Sequence, residues 1–311
     1  MNDPAAVVDC LIVGGGPAGL TAALYLKRFR RSVLLVDGGE SRAAWIPESH
    51  NIPFFSSGIS GKQILARERE HAARYDVVAE TARVTAIAKS DGGFVATIES
   101  PDGAVRDVSA RRVVLATGAV DVEPDLPDVP DAVRRGLVRY CPICDGYEAI
   151  GKRVAVIARG DHGVGEAIFI RRTYSDDVTL LTLGEELDLQ PDQAEDLREK
   201  GVTIVEDPIV ALDHKGDAIG ALRTAQQELR FDILYSALGL RYRSELGLAL
   251  GARHDERNAL WVDEHCQTSV KGLYAIGDVV IGLDQIVVGM GQAAYAATHI
   301  HNRCEYPTDD E

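Results

Sequence analysis

The sequence predicts an α/β protein made of two related domains of the dinucleotide-binding type. Its 311 residues fit two domains, at roughly 100–200 residues each. A pattern of strand, glycine turn, helix and strand occurs twice, with the two copies about 140 residues apart. With 46% hydrophobic residues and 30 glycines against 12 prolines, the chain can bury a sizeable core and is not of a disordered type.

The charge balance argues against several classes of partner. The chain has 33 Lys and Arg against 48 Asp and Glu, a formal net charge of −15 at pH 7. Such a surface repels nucleic-acid phosphates and anionic lipids, so we expect no nucleic-acid and no membrane partner. The longest uncharged run, residues 10–26, is interrupted by Gly-Gly-Gly-Pro, and no Lys or Arg precedes it. We therefore expect neither a membrane span nor an export signal, and predict a cytoplasmic protein.

The first copy of the pattern lies at the N-terminus. Residues 7–13 form an apolar run typical of a strand, and residues 14–19 form the glycine turn. Residues 20–29 have the apolar spacing of a helix. Residues 32–36 predict a second strand that ends at Asp37, which completes a βαβ unit.

The segments after this unit extend the first domain. Residues 41–60 are rich in turn formers, and residues 61–74 predict an amphipathic helix. Further strands are predicted at 84–87, 94–99, 104–108 and 112–119. Residues 120–131 contain three prolines and five acidic residues without apolar periodicity, so we expect a linker there.

The second copy of the pattern follows this linker. Its predicted parts are a strand at 153–158, a turn at 159–163, a helix at 164–172 and a strand at 178–183. Two later strands are predicted at 231–237 and 273–276, and a final helix at about 291–301. The repeated βαβ unit is the reason to expect two related nucleotide-type domains.

The glycines Gly14, Gly16 and Gly19 have the context of a dinucleotide fingerprint. They follow a strand and open a helix, so the turn can be tight and a pyrophosphate can approach the backbone at the helix N-terminus. Asp37 follows about 20 residues later, where an acid binds ribose hydroxyls. The alternative is a glycine turn of an ordinary α/β protein.

Cys141 and Cys144 form a Cys-x-x-Cys pair that indicates redox chemistry. Two thiols at this spacing can close a small disulfide, and Asp145 next to them can pass a proton to a departing thiolate. The alternatives are an inert structural disulfide or half of a zinc site. The remaining cysteines, Cys10, Cys266 and Cys304, form no second pair of this kind, and we expect Cys10 and Cys266 to be buried.

Several segments, in order along essentially the whole chain, resemble the low-molecular-weight thioredoxin reductases. They are residues 14–19, Asn51 with 58–61, 116–119, 141–146, and 277–279 followed by 285–294. The resemblance implies a homodimeric FAD enzyme with two Rossmann-like, three-layer domains of the FAD/NAD-linked reductase type. The second domain, residues 120–244, would carry the cysteine pair and be inserted into the FAD domain, residues 1–119 and 245–311.

The same resemblance implies roles for individual residues. Cys144 would face the flavin, Cys141 would attack the partner disulfide, and Asp145 would be the acid. The implied FAD-binding residues are Gly14, Gly16, Pro17, Ala18, Gly19, Asp37, Asn51, Thr117, Gly118, Gly277, Asp278, Gln285 and Ile286. A helix N-terminus near Gln285 would stabilise the negative charge of a reduced flavin. We expect no metal.

The second dinucleotide turn departs from the family pattern. Ala158 and Arg159 stand where glycine and a small residue are expected. Residues 182–184 are Thr-Leu-Gly where NADPH-dependent members carry His-Arg-Arg, and two carboxylates follow at 185–186. These would repel a 2′-phosphate, so we do not expect NADPH as the donor. The alternative is that an arginine at 159, 171 or 172 supplies the contact.

We therefore predict an FAD-dependent disulfide oxidoreductase of the thioredoxin reductase type, similar to deep-branching members with a degenerate NADPH site. Electrons would pass from the flavin to the cysteine pair and on to a protein disulfide such as thioredoxin. Ferredoxin or another donor would replace NADPH. The alternatives are a dithiol oxidase that uses oxygen and a flavin redox sensor without turnover.

The tail with Cys304 and Tyr306 is expected to be frayed. The alternative is that it covers the flavin of a partner subunit.

Overall fold

The protein's structure, a computed structural model, describes residues 7–124, 132–133, 135–187, 189–215 and 218–308. Residues 125–131 of the predicted linker and the acidic residues 309–311 lie outside the described residues. The chain divides into two compact units. The first consists of Met1–Ile46, Ile59–Val120 and Arg241–Glu311, and the second of Pro47–Gly58 and Asp121–Leu240.

Strands and helices are numbered in chain order. The strands are β1 Val8–Val13, β2 Val33–Asp37, β3 Glu80–Thr81, β4 Arg83–Ser90, β5 Gly93–Glu99, β6 Val105–Leu115, β7 Ala119–Asp121, β8 Val138–Arg139, β9 Arg153–Ala158, β10 Asp177–Leu181, β11 Thr203–Val205, β12 Ile209–Lys215, β13 Ala218–Thr224, β14 Glu228–Leu229, β15 Ile233–Ala237, β16 Leu240–Tyr242 and β17 Leu273–Ala275. The helices are α1 Pro17–Arg28, α2 Gly61–Ala73, α3 Pro142–Asp145, α4 Gly160–Thr173, α5 Pro191–Lys200, α6 Glu245–Ala249 and α7 Ile286–Arg303.

The described strands of the first unit form a sheet with the order β3-β2-β1-β6-β5-β4, and β17 also pairs with β6. Strands β1, β2, β6 and β17 are parallel, whereas β4, β5 and β6 are antiparallel neighbours. The strand β6 is long enough to pair with β5 over its first half and with β1 over its second half. Its far end therefore meets the end of β1, where the glycine turn begins.

The two faces of the β1 region are covered by different cores. Cys10 and Ile12 point into a core with α1, α2 and α7, whereas Leu11 and Val13 point into a second core with β5 and the 260–280 region. Adjacent residues of a strand face opposite sides of its sheet, so an uninterrupted apolar run predicts a strand covered on both faces. The first unit is therefore three-layered.

Local sequence signals explain where the helices of the first unit begin. Pro17 occupies the first turn of α1, where its missing N–H is tolerated. Helix α2 begins with a capping box, in which the Ser60 hydroxyl accepts from the Gln63 N–H and the Gln63 side chain accepts from the Ser60 N–H. Among the described residues, no helix has both the length and the apolar character needed to cross a bilayer.

The second unit repeats the architecture of the first. Its parallel sheet has the order β11-β10-β9-β15-β8, and β12, β13 and β14 form a separate antiparallel sheet. Val156 and Tyr235 face α4, whereas Ile157 and Leu234 face β13. The predicted fold class is confirmed: two Rossmann-like α/β units, the second inserted into the first.

Some predicted elements differ from those observed. The two strands predicted at 104–108 and 112–119 are the single strand β6, and the last helix begins at Ile286 rather than at 291. The sequence predicted neither α5 nor the sheet of β12 to β14. The segment Pro47–Gly58, assigned to the FAD domain from the sequence, groups with the second unit. The predicted domain boundaries remain a prediction.

The C-terminal tail is held by a buried arginine. Arg112 is completely buried, and its Nη2 donates to the carbonyl oxygens of Arg303 at 2.6 Å and Tyr306 at 2.9 Å. Cys304 and Thr308 are also buried. The expectation of a frayed terminus is therefore wrong as far as Thr308.

We expect Arg112→Leu to lower the free energy of unfolding by about 2 kcal/mol, because hydrogen bonds from a charged donor contribute about 1.5–3 kcal/mol and two carbonyls would lose this partner. Urea denaturation would measure this loss, and limited proteolysis would show the tail cut earlier. The matched control is Arg111→Leu, whose side chain is largely exposed. An equal loss in both variants would contradict the role of Arg112 in holding the tail.

Candidate active site

The glycine turn after β1 depends on close contacts between backbone segments. Gly14 has a φ of +111°, and a Cβ at this position would overlap the carbonyl oxygen of Ala116. A Cβ at Gly19 would overlap the carbonyl oxygen of Gly14. The Gly14 N–H donates to the carbonyl oxygen of Val36 at 2.8 Å. The turn is therefore fixed against the ends of β2 and β6.

The start of α1 faces the open side of this turn. Gly16 is the N-cap with an extended backbone, and no side chain caps the helix. A Cβ at Gly16 would meet only the hydroxyl of Ser41, at 3.3 Å. Backbone N–H groups at an uncapped helix N-terminus, with space in front of them, suit a pyrophosphate. The residues present therefore fit the phosphates of FAD.

Asp37 lies at the end of β2 beside the turn, as predicted. Its Oδ1 accepts from the Gly39 N–H at 3.1 Å, and its Oδ2 lies 3.5 Å from Nη2 of Arg69. Gly15 leaves room for this carboxylate, because a Cβ there would lie 2.5 Å from Oδ2 of Asp37. Arg69 was not predicted, because its position on α2 resembles an ordinary helix surface.

Asp278 lies in a short 3-10 turn, Gly277–Val279, after β17. Its Oδ2 lies 3.2 Å from Nη1 of Arg42, and both side chains are about four-fifths buried, at 23% and 22% exposure. The Gly277 N–H donates to Oε1 of Gln292 on α7 at 2.7 Å. The Ala18 methyl group lies against Gly277 as well. Residues from α1, α7 and the β17 turn therefore meet here, and Arg42 and Gln292 were not predicted.

The remaining predicted residues of the first unit lie at the ends of β6 and α7. The Thr117 hydroxyl donates to the carbonyl oxygen of Arg243 at 2.6 Å, and Gly118 has a φ of +70°. Gln285 is the N-cap of α7, and Ile286 is its first residue. The predicted FAD residues of this unit thus follow β1, β2, β6 and β17 at one sheet edge, where open α/β sheets bind nucleotides.

Asn51 is the exception, because it belongs to the segment of the second unit that lies next to the cysteines. Its Nδ2 is 3.5 Å from the carbonyl oxygen of Ile143, and its Oδ1 accepts from the Ser49 hydroxyl at 2.9 Å. Its role in FAD binding remains a prediction.

Cys141 and Cys144 form a disulfide, with their Cα atoms 5.3 Å apart. Cys141 is the N-cap of the short helix α3, and its Sγ accepts from the Cys144 N–H at 3.2 Å. The predicted pairing of these two cysteines is therefore present. Their turn is continued by a 3-10 turn, Gly146–Ala149.

Asp145 follows Cys144 directly in the chain and ends α3. Its Oδ1 accepts from the Tyr235 hydroxyl at 2.8 Å, and its Oδ2 lies 3.6 Å from Nη1 of Arg139. Burial raises the pKa of Asp145, and the charge of Arg139 and the hydrogen bond from Tyr235 act against this rise. The carboxyl therefore keeps its proton to a higher pH than an exposed aspartate, which suits an acid.

The second dinucleotide turn, between β9 and α4, is crossed by an ion pair. Nε of Arg159 lies 3.1 Å from Oε1 of Glu185, which follows β10. A Cβ at Gly163 would overlap the methyl group of Ala158, so α4 packs directly on this residue. A carboxylate thus engages the arginine that would be needed for a phosphate at this turn.

The segment after β10 offers no cation in the described structure either. Thr182 is completely buried, and Leu183 and Gly184 have φ of +61° and +91°. Arg171 and Arg172 lie in the last turn of α4, about 15 Å along the helix from its start. Arg171 pairs there with Asp176 at 2.8 Å. The contacts therefore do not favour the alternative in which one of these arginines serves the turn.

The other three cysteines are buried free thiols, which confirms the expected burial of Cys10 and Cys266. Burial raises the pKa of Cys266 and of Cys304 to about 11, so neither is a reactive thiolate at neutral pH. Within the described ranges, no group of three or more His, Cys, Asp or Glu side chains is arranged to hold a metal ion.

Comparison with known proteins gives consistent matches. The sequence profile of the family described as pyridine nucleotide-disulphide oxidoreductase matches residues 8–299. The chain is 27% identical over 310 residues to a thioredoxin reductase of Bacillus subtilis (strain 168), covering 96% of this chain and 95% of that protein. The fold is similar to the crystal structure of HlmI, with a TM-score of 0.86, 28% identity and coverage of 98% and 94%. It is also similar to thioredoxin reductase from Streptococcus pyogenes MGAS5005, with a TM-score of 0.85, 25% identity and coverage of 96% and 98%.

We expect Gly16→Ala to weaken FAD binding at least about tenfold, or about 1.4 kcal/mol, because the new methyl group would lie where the pyrophosphate approaches. The free energy of unfolding of the FAD-free protein should fall by no more than about 1 kcal/mol, since alanine is a poorer N-cap than glycine and the Ser41 hydroxyl can rotate away from the methyl group. Flavin fluorescence titration and urea denaturation would measure the two quantities.

The control for this variant is Gly165→Ala on α4, where an added Cβ has no neighbour within 4 Å. Its FAD affinity should equal that of the wild type. Wild-type affinity in Gly16→Ala would contradict the assignment of the turn to the phosphates.

Proposed function

The chain belongs to the pyridine nucleotide-disulphide oxidoreductase family as a thioredoxin reductase-like, flavin-dependent enzyme that acts on a disulfide, and we propose from this premise that it reduces the disulfide of a thioredoxin-like protein. The observation that carries the proposal is the Cys141–Cys144 disulfide, followed directly in the chain by the largely buried acid Asp145. FAD bound at the glycine turn would supply an electron pair to this disulfide.

Asp145, Cys141 and Cys144 each have a separate role in the thiol–disulfide chemistry. Reduction breaks the S–S bond, and Asp145 gives its proton to the Sγ of Cys144 as it leaves. The Sγ of Cys141 attacks the partner's disulfide, which forms a mixed disulfide and releases one partner thiol. The first partner thiolate to leave takes its proton from solvent. Cys144 then returns its proton to Asp145 and attacks Cys141, which restores the internal disulfide, and the second partner thiolate leaves with the proton of Asp145, which solvent then replaces. Two electrons enter the cysteine pair and two leave with the partner.

The roles of the two cysteines can be separated by substitution. We expect Cys144→Ser to form a stable mixed disulfide with a thioredoxin through Cys141, because the resolving thiol is missing. Mass spectrometry after alkylation would detect it. Cys141→Ser should form much less of this adduct, and both variants should keep wild-type FAD content. Equal trapping by both variants would contradict the division of roles.

We propose that the electron donor is not NADPH. The support is the Arg159–Glu185 ion pair across the second turn and the contact of α4 with Ala158. A 2′-phosphate would have to displace a carboxylate from the arginine and lie beside Glu186, which opposes its binding. A protein donor such as ferredoxin does not require this turn.

An anaerobic titration tests the donor. NADPH, NADH, reduced ferredoxin and reduced thioredoxin would be added in turn to the FAD-loaded protein while flavin bleaching is followed. We expect fast bleaching by a protein donor and bleaching by NADPH at least about a hundredfold slower, equivalent to about 2.7 kcal/mol. Rapid bleaching by NADPH would overturn the donor proposal.

The same FAD-loaded protein can be used to distinguish the proposed reductase from a dithiol oxidase and from a redox sensor. A dithiol oxidase would consume oxygen with a small dithiol, and a redox sensor would reduce its cysteine pair without passing electrons to any thioredoxin. The buried, hydrogen-bonded Asp145 favours reduction of a disulfide, because its raised pKa suits a proton donor. We further propose that the protein is a cytoplasmic homodimer. Sedimentation equilibrium would measure its mass.

A further inference from the structure

The segment after β2, residues 40–42, passes beside the start of α1. A Cβ at Gly16, the N-cap of α1, would lie 3.3 Å from the hydroxyl oxygen of Ser41. Ser41 is itself the N-cap of a 3-10 turn, Arg42–Trp45. Arg42 therefore follows directly after the residue that lies beside the place where the phosphates of FAD fit.

Asp278 belongs to a second segment that contacts the start of α1. A Cβ at Gly277 would lie 3.2 Å from the methyl group of Ala18, which is in the first turn of α1. A Cβ at Gly289 on α7 would lie 3.3 Å from the same methyl group and 3.3 Å from Cα of Gly277. The turn that contains Asp278 is therefore held by close packing against both helices.

An ion pair joins these two segments. Nη1 of Arg42 donates to Oδ2 of Asp278 at 3.2 Å, and the two side chains are only 22% and 23% exposed. Water and salt screen a mostly buried pair less than an exposed one. Removing one partner of such a pair leaves the other charge without compensation, which is more costly than the loss of a surface ion pair.

The backbone on both sides of Arg42 is fixed by other contacts. Before it, the carbonyl oxygen of Glu40 accepts from Nη1 of Arg243 at 2.9 Å. After it, a Cβ at Gly61 would overlap the carbonyl oxygen of Ala43, so the start of α2 packs directly on the 3-10 turn. Arg42 is therefore held in place by the fold, and little backbone freedom is lost when its side chain pairs with Asp278.

Three carboxylates of these segments are each paired with an arginine. The pairs are Asp37 with Arg69, Glu40 with Arg83, and Asp278 with Arg42. The arginine of the last pair is the most buried, with 22% exposure against 49% and 65% for the other two. Since the phosphates of FAD are negative, a carboxylate that lost its arginine would repel them, and the effect would be largest where screening is weakest.

We propose that Arg42 is a positioning residue for FAD, which holds the Asp278 carboxylate in the orientation that binds a hydroxyl group of the cofactor. The inference rests on the proposed flavin-dependent function. Arg42 engages Oδ2 of Asp278, so that Oδ1 accepts a hydrogen bond from the hydroxyl group. The charge of Arg42 also compensates that of Asp278 beside the phosphates.

The test is the release of FAD from the FAD-loaded protein. Dilution through a concentration series, with the fluorescence of released FAD as the signal, gives the Kd. In Arg42→Met we expect the Kd to rise at least about tenfold, because Asp278 keeps its charge and loses its partner. Arg42→Lys retains the positive charge, and its Kd should stay within about threefold of the wild-type value.

The matched control is Arg153→Met, which breaks an ion pair of the second unit. Nη2 of Arg153 lies 2.9 Å from Oδ1 of Asp232, a shorter distance than that between Arg42 and Asp278. The Kd for FAD should equal that of the wild type in this variant. Thermal unfolding would show whether each variant remains folded, and Arg42→Gln repeats the test if Arg42→Met does not.

A double-mutant cycle distinguishes positioning from a general structural role. Asp278→Asn keeps the shape of the side chain and removes its charge. If Arg42 acts through Asp278, adding Arg42→Met to Asp278→Asn should raise the Kd by less than about threefold. The same tenfold rise in both backgrounds, or a wild-type Kd in Arg42→Met, would overturn the role of Arg42.

The outcomes also distinguish this inference from the proposed function. If the wild type passes electrons to no protein disulfide, the proposed function fails. The release of FAD would still decide the role of Arg42, because it requires neither an electron donor nor a protein partner. Conversely, a negative result for Arg42 leaves electron transfer by the wild type unaffected.

Discussion

The contact of α1 with the ends of β1 and β6 determines the arrangement of the first unit. At Gly14 and Gly19 the space of a side chain is taken by backbone carbonyl groups, so the helix begins against the strand ends. Asp37 ends β2 and Asp278 follows β17, strands that are separated by β1 and β6, and both residues lie at the same edge of the sheet. A helix start that is free of a side-chain cap, with carboxylates on both sides of it, is the chemical basis of a site for the phosphates and ribose of a dinucleotide.

The second unit has the same architecture with different residues at the ends of its strands. Its glycine turn contains Ala158 and an ion pair, while Asp145, at the end of the short helix α3, accepts a hydrogen bond from Tyr235. The parallel sheet of this unit fixes the positions of α4 and Tyr235, because α4 packs on its strands and Tyr235 belongs to β15. A fold of this kind does not define its ligand; the residues at the ends of its strands do so.

The sequence was sufficient for features whose residue types recur at fixed spacing. The glycines, Asp37 and the cysteine pair are of this kind, since a turn or a small disulfide needs these residues at near positions. Asp278 was predicted only from the resemblance to the family. Partners that are distant in sequence could not be predicted in this way. They are Arg42 with Asp278, Arg69 with Asp37, and Tyr235 with Asp145, separated by 236, 32 and 90 positions. The sheet of β12 to β14 gave no clear alternation of apolar residues.

The second unit leaves and rejoins the first through two paired strands, β7 and β16, which form a small two-stranded sheet of their own. The insertion therefore adds its residues without interrupting the order of strands that forms the flavin-binding fold. Substitutions in the glycine turn of the inserted part, where Ala158 and Arg159 stand, leave this surrounding order of strands unchanged. This modularity gives evolution a route to exchange the source of electrons without rebuilding the cofactor site.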